Sequence, residues 1–114
     1  MSDEQGHAFD EQLATDLVGH GRFRWVDGML DGGGRRAEPR EGLPVLSDPA
    51  TAGCLLSLVD ELGVLTDVVR DDEGWIVAVD LPKGLKGFAA DCLGEAASWA
   101  LLEAWAELVV LVQS

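Results

Sequence analysis

Residues 48–81, "DPATAGCLLSLVDELGVLTDVVRDDEGWIVAVDL", change from a helical period to a strand period, and this change decides the fold class. In the first half, apolar residues recur three and four positions apart, which places them on one face of a helix. Asp48 is a suitable N-cap, Pro49 fits the first helical position, and Gly63 is the expected C-terminal stop. The apolar residues on this predicted helical face are Ala52, Leu55, Leu56, Val59 and Leu62.

The second half of this stretch predicts a β-hairpin. Two runs rich in β-branched residues, "VLTDVVR" and "WIVAVDL", are separated by "DDEG", a turn with three acids and a glycine. Pro82 ends the second strand, so we expect "KGLKG" (83–87) to be a loop. The alternate residues that share one apolar face of the second strand are Trp75, Val77, Val79 and Leu81.

Two elements and a loop are predicted before residue 48. Apolar residues four positions apart indicate a short helix over about 8–18. In "RFRWVDGML" (22–30), aromatic and β-branched residues alternate with Arg22 and Arg24, which predicts a strand with one basic face. The glycines and proline of the next segment predict a solvated, mobile loop over 31–44. The apolar residues of the short helix are Phe9, Leu13 and Leu17.

The last predicted element is a helix from Glu95 to about Val112, with a start as early as Phe88. On a helical wheel, three glutamates form its only charged sector, and Trp99 lies in the middle of that sector. We therefore expect Trp99 to be at least partly exposed, unless the N-terminal segment folds over it with Phe9. The three glutamates are Glu95, Glu103 and Glu107. The core-facing residues are Ala97, Leu101, Ala104, Trp105, Leu108 and Val112.

Together these segments predict a single α+β domain over 1–114, with the order α-β-α-β-β-α. The simplest arrangement that buries every apolar face is a three-stranded, mainly antiparallel sheet with helices packed on one face. No stretch is long and apolar enough to span a membrane. The acidic N-terminus is unlike a signal peptide, so we expect a cytoplasmic protein, in the host cell's cytoplasm if a phage encodes it.

The charge balance bears on the class of partner. The formal net charge is −13, from 21 acidic and eight basic side chains, which disfavours direct binding to nucleic acid. Four arginines lie close together in the chain and are candidates for contacting phosphate or an acidic protein partner: Arg22, Arg24, Arg35 and Arg36. The alternative is that they pair internally with nearby acids: Asp27, Asp31, Glu38 and Glu41.

No motif in the chain predicts a catalytic, cofactor or metal site. "DGGGRR" lacks the Lys-Ser or Lys-Thr pair of a phosphate-binding loop, so a flexible turn explains it better. Cys54 and Cys92 are expected to be buried thiols rather than a disulfide. His7 and His20 are the candidates for a metal ligand or a catalytic base, but either role needs converging partners.

Two segments, "RFRWVDGMLD" and "LPVLSDPATAGCLLSLV", resemble a group of small proteins encoded in bacteriophage and prophage genomes. That group carries an RFRW-x-x-GM segment and an L-x-D-P-A-T-x-G-C-L-L helix, followed by a short β segment and an Ala-rich helix. The similarity covers about two-thirds of the chain, and the final helix here is longer than the group's ending. The resemblance implies a phage setting and no particular activity. The matching positions are Arg22 to Trp25, Gly28, Met29, and Asp48 to Leu56.

Three functional hypotheses follow. The first is a non-enzymatic protein-interaction module of phage or prophage type, whose partner is a phage or host protein. The second is an acidic mimic of nucleic acid that inhibits a host defence or DNA-binding protein, with acids at 67–73 and on the last helix forming a negative stripe. The third is a small enzyme or metal protein that uses His7 or His20. The apolar "VVLV" ending also leaves a homo-oligomer open.

Overall fold

The computed structural model describes residues 12–36 and 42–113, and the side chains up to residue 108. Within these residues the chain forms three helices and three strands, so the predicted α+β class is confirmed. The elements are helix α1 (residues 12–19), helix α2 (Pro49–Glu61), strands β1 (Leu65–Asp71), β2 (Gly74–Leu81) and β3 (Gly84–Ala90), and helix α3 (Leu93–Gln113). The strands form one antiparallel sheet in the order β1-β2-β3.

The order of elements is α-α-β-β-β-α, so the predicted strand at 22–30 is wrong. This segment forms no ladder among the described residues, apart from an isolated bridge between Asp31 and Pro44. Gly28 has a φ of 109°, which turns the chain out of the extended conformation. The apolar side chains of the segment, including Phe23 and Trp25, are half-buried against the core instead of alternating across a sheet.

The third strand is β3, where the sequence predicted a loop and an early start of the last helix. Pro82 and Lys83 form a two-residue turn, because Leu81 pairs directly with Gly84. Two glycines and one lysine conceal the period of two in this strand. In the sheet, Lys86, Phe88 and Ala90 are half-buried on the helix side, while the residues between them are exposed.

The start and stop signals of α2 act as predicted. Asp48 is the N-cap, with its side chain accepting the Thr51 N–H, and Pro49 is the first helical residue. Gly63 follows the end of the helix with a φ of 76°. The predicted core face of β2 is also present, with Val77, Val79 and Leu81 buried.

Helix α3 lies between the sheet and α2, packing on β2 and β3 on one side and on α2 on the other. Most of its circumference is therefore buried. Gly94 makes this possible at the helix start, because a Cβ there would lie 1.8 Å from the carbonyl oxygen of Leu46. The buried residues of α3 are Gly94, Ala96, Ala97, Ser98, Ala100, Leu101, Ala104, Trp105 and Glu107.

Candidate functional site

Among the aromatic side chains that the structure describes, that of Trp99 is the most exposed to solvent. Its side chain is 48% exposed, although Ser98 and Ala100 on either side are buried. Leu102 and Ala106 lie on the same helical face, half-buried and exposed respectively. The wheel-based prediction of an exposed Trp99 is confirmed, whereas its proposed cover, Phe9, lies outside the described residues. The result is an apolar strip on a helix whose other sides are fixed by packing.

The glutamates of α3 do not all flank this strip as predicted. Glu107 is buried, with 5% exposure, and its carboxylate accepts the Lys83 N–H at 3.1 Å and the Lys86 ammonium at 3.1 Å. Lys86 also donates to Glu103 at 2.7 Å. Glu95 is half-buried beside Cys92, whose thiol donates to its carboxylate at 3.7 Å. We refer to Lys86, Glu103 and Glu107 as the Lys86 cluster. It could not be predicted from the sequence, because β3, the strand that carries the lysine, was predicted to be a loop.

The pKa values in the Lys86 cluster move as expected for an ion pair. Hydrogen bonds to Glu103, and then to Glu107, raise the pKa of Lys86. Burial alone would raise the pKa of Glu107, but the hydrogen bonds from Lys86 and Lys83 lower it on balance. Lys86 and Glu107 are therefore both charged at neutral pH, and the one lysine partly neutralises the two glutamates that it binds.

Two of the four candidate arginines are used inside the fold. Arg36 forms a bidentate ion pair with Asp48, at 2.8 and 2.9 Å, and Arg24 pairs with Glu61. Both partners belong to α2 or its cap and are not among the acids that the sequence indicated. The side chains of Arg22 and Arg35 are exposed and form no ion pair within the part of the chain that the structure describes.

Asp48 connects the arginine-glycine segment to α2. Its carboxylate accepts both the N–H and the hydroxyl of Thr51, at 2.9 and 3.0 Å, besides binding Arg36. The Thr51 hydroxyl oxygen in turn accepts the Leu30 N–H at 2.8 Å. Hydrogen bonds from the Arg36 guanidinium hold the pKa of Asp48 well below its usual range. This network joins the two segments on which the phage resemblance depends.

Asp31 organises the turn that contains the glycines. Its side chain is buried, and one carboxylate oxygen accepts the N–H groups of Gly33 and Arg35 at 2.9 and 2.8 Å. Backbone hydrogen bonds also join Gly28 to Arg36 and Leu30 to Val45. The glycines therefore serve a structured turn at 31–36; residues 37–41 lie outside the described part, and the mobility of 31–44 stays a prediction.

The histidines and cysteines have structural surroundings where they are described. The His20 ring stacks on Trp105 with 4.8 Å between ring centroids, and its Nδ1 accepts the Arg22 N–H at 3.3 Å. His7 lies outside the described residues. Cys54 and Cys92 are thiols outside any disulfide, and both are half-buried rather than buried as the sequence predicted. Among the described residues, no three His, Cys, Asp or Glu side chains are grouped to hold a metal ion.

The acids of the β1–β2 turn project into solvent. The Asp71 carboxylate accepts the N–H groups of Glu73 and Gly74, both at 2.9 Å, which shapes the turn. Asp72 and Glu73 are exposed and form no ion pair with any residue that the structure describes. A solvated hairpin turn was the sequence expectation for these carboxylates.

No family model, curated protein or solved structure matches this chain. None of the helices in the described residues combines the length and apolarity needed to cross a bilayer.

Proposed function

We propose that this protein is a non-enzymatic protein-interaction module of phage or prophage type, and that the Trp99 face of α3 contacts the partner. The observation that carries the proposal is the 48% exposure of Trp99 on a helix that packs against the sheet on one side and against α2 on the other. Trp is enriched among the residues that dominate protein interfaces, since one side chain offers a large apolar area with little loss of conformational entropy.

The surroundings of Trp99 support this role. Leu102 and Ala106 extend the apolar strip along the helix, and Glu103 lies beside it as a half-exposed polar residue. An apolar centre with a charged margin is the usual anatomy of an interface. Burying the open half of an indole contributes on the order of 2 kcal/mol, enough for one anchor of an interface.

A photo-crosslinking amino acid at Ala106 tests the proposal, because this position is exposed on the same face and leaves Trp99 intact. We expect a crosslinked protein from the phage or its host, or a crosslinked second copy, in cells that carry the gene. Trp99→Ala in the same chain should reduce the crosslink about tenfold. The matched control places the crosslinker at Asp60, which is exposed on α2.

The proposal fails if the purified protein is strictly monomeric and position 106 captures no protein beyond those captured from position 60. It also fails if Trp99→Ala leaves the crosslink unchanged while the variant stays folded.

The second candidate function is an acidic mimic of nucleic acid that inhibits a host defence or DNA-binding protein. The net charge of −13 and the exposed acids on the sheet favour it, including Asp67, Asp72 and Glu73. The last helix contributes less than the sequence indicated, because Lys86 binds Glu103 and Glu107. If the protein mimics nucleic acid, its affinity for a basic DNA-binding domain should fall steeply as the salt concentration rises. An affinity that does not change with salt concentration would exclude mimicry.

A further inference from the structure

The face of the sheet that points away from α3 is apolar in its centre, and no helix of the described chain packs on it. Its residues alternate with the buried ones along each strand, so Ile76 and Ala78 of β2 lie on it. Val69 of β1 pairs with Ile76 of β2 and is 42% exposed. Leu85 of β3 is 70% exposed. We refer to Val69, Ile76, Ala78, Leu85, Gly87 and Ala89 as the open face.

Small residues make a depression in the middle of the open face. Asp67, Ala78 and Gly87 form one cross-strand row, in which the β2 and β3 side chains are only a methyl group and a hydrogen. The neighbouring row is larger, because Val69, Ile76 and Ala89 lie side by side. Leu85 projects on the other side of the Ala78–Gly87 row. An apolar side chain from another molecule fits between these two ridges.

The charge around the depression has one sign. Asp67 and Asp71 of β1 and Asp80 of β2 have the same alternation as the open face, and all three are exposed. The basic residues of the strands point elsewhere: Arg70 lies over the Trp75 ring, and Lys86 reaches Glu103 and Glu107 on the helix side. Among the residues that the structure describes, the strands therefore contribute carboxylates and no cation to the open face.

We propose that the open face docks a protein segment with apolar side chains flanked by lysine or arginine. Charge complementarity selects this occupant, since the rim is wholly acidic and the centre is apolar. A second copy of this chain is disfavoured, because two molecules of net charge −13 would meet through acidic faces. The inference extends the interaction role to a second surface and does not depend on Trp99.

A cleft at one end of the open face adds a place for a cationic group. It has a volume of about 270 Å³ and lies between the β1–β2 turn and the end of β3. Trp75, Ile76 and Ala89 form its apolar lining. Its acidic lining comes from Asp71, Glu73 and Asp91. A guanidinium or ammonium group here would meet carboxylates while its aliphatic stem packs on the apolar lining.

The open face is better suited to docking than the β1 edge of the sheet. The ladder of β1 is irregular between Leu65 and Asp67, and the Asp67 carboxylate accepts the N–H of Val68 at 2.9 Å. A bulge and an amide that is already bonded both hinder the addition of a further strand.

The test is an NMR titration of the full chain, labelled with ¹⁵N, with a peptide of alternating arginine and leucine. An equally long peptide of alternating glutamate and leucine and an oligoarginine are the comparison probes. We expect the arginine-leucine peptide to bind best and to shift the amides of Val69, Ile76, Leu85 and Ala89. Gly87→Val should weaken binding about tenfold by filling the depression.

Gly87→Val is a suitable variant because it does not threaten the fold. A Cβ at Gly87 meets only the Ile76 Cγ2 atom at 3.4 Å, and valine favours a strand. The charge rim is tested with Asp80→Asn, which should weaken binding several-fold, against Asp60→Asn on α2, which should not.

Three outcomes overturn the proposal. Oligoarginine that binds as tightly as the arginine-leucine peptide shows a contact by charge alone. Shifts confined to the Trp99 face show that the other surface binds the probe. Full affinity in folded Gly87→Val shows that the depression is not used. Because the crosslinking experiment at position 106 reads a different surface, either proposal can fail without the other.

Discussion

At the level of single residues, Asp48 combines two structural roles. It caps α2 through the Thr51 N–H, and it holds Arg36 through two hydrogen bonds at the end of the glycine turn. Its side chain is only 11% exposed, whereas that of Arg36 is half-exposed, so solvent screens the ion pair in part. The capping role was readable from the order Asp-Pro-Ala-Thr, but the arginine partner was not.

We expect Asp48→Asn to lower the free energy of unfolding by about 1 kcal/mol at neutral pH, because asparagine still caps the helix but loses the ion pair. Asp48→Ala should cost about 1 kcal/mol more, since it also removes the cap. Chemical denaturation measures both, with Asp60→Asn as a control that changes stability little. Equal stability of the asparagine variant and the unaltered protein would contradict the role of the ion pair.

The same pair predicts a dependence on pH. The folded pKa of Asp48 is depressed, so its contribution is complete above the unfolded pKa of about 4 and is lost as the pH falls toward the folded value. The stability difference between the unaltered protein and Asp48→Asn should therefore be constant near neutral pH and shrink below about pH 4. A difference that grows in acid would reverse the assigned sign.

At the scale of elements, the approach of α3 to the loop before α2 depends on one glycine. Gly94 is buried under the carbonyl of Leu46, a position that no sequence pattern marks, because glycine near a helix start reads only as a weak helix former. Gly53, in the middle of α2, has the same chemistry but open space around it. Substitutions at these two positions therefore distinguish a packing requirement, which exists only at Gly94, from the low helix propensity of glycine, which applies to both.

Gly94→Ala should destabilise the protein by about 3 kcal/mol or more, because the new Cβ would collide with backbone that cannot move without displacing α2. Gly53→Ala should instead raise stability by about 1 kcal/mol, the usual gain at an exposed helix interior. Thermal and denaturant unfolding of the two variants measure the contrast. Similar effects of the same sign would show that the close approach at Leu46 is not rigid.

At the scale of the whole molecule, the dominant property is the excess of acids. Some are neutralised locally, by Lys86 on α3 and by Arg24 and Arg36 on α2 and its cap. Many of the others lie at the sheet's turn and on its open face, where carboxylates repel one another through solvent. The folded state concentrates this repulsion, and salt screens it.

We expect the melting temperature to rise by several degrees between about 0.01 M and about 0.5 M sodium chloride, because the Debye length falls from about 30 Å to a few ångströms. Asp72→Lys at the β1–β2 turn should raise the melting temperature at low salt and have little effect at high salt. A melting temperature that falls with salt would mean that the ion pairs outweigh the repulsion.

Four features could be predicted from the sequence alone: α2, the β1–β2 hairpin, the inner face of β2 and the exposure of Trp99. Each depends on signals within a few residues of one another: a cap, a proline, a glycine, or a period of 3.6 or two. The sequence also determines the excess of acids. These features are local, so no knowledge of distant contacts was needed.

The position of the third strand and the pairing of the charged side chains depend on long-range contacts and could not be predicted from the sequence. The 22–30 segment has the composition of a strand, but its aromatic residues pack on the core and Gly28 turns the chain. The segment "KGLKGFAA" has a weaker strand pattern, yet it forms β3 because its backbone pairs with β2. Lys86 then meets Glu103 and Glu107, and Arg36 meets Asp48. Strand pairing and ion pairing of this kind join residues that are far apart in the chain. These interactions contribute free energy only when the helices and strands are packed together, so no local pattern predicts them.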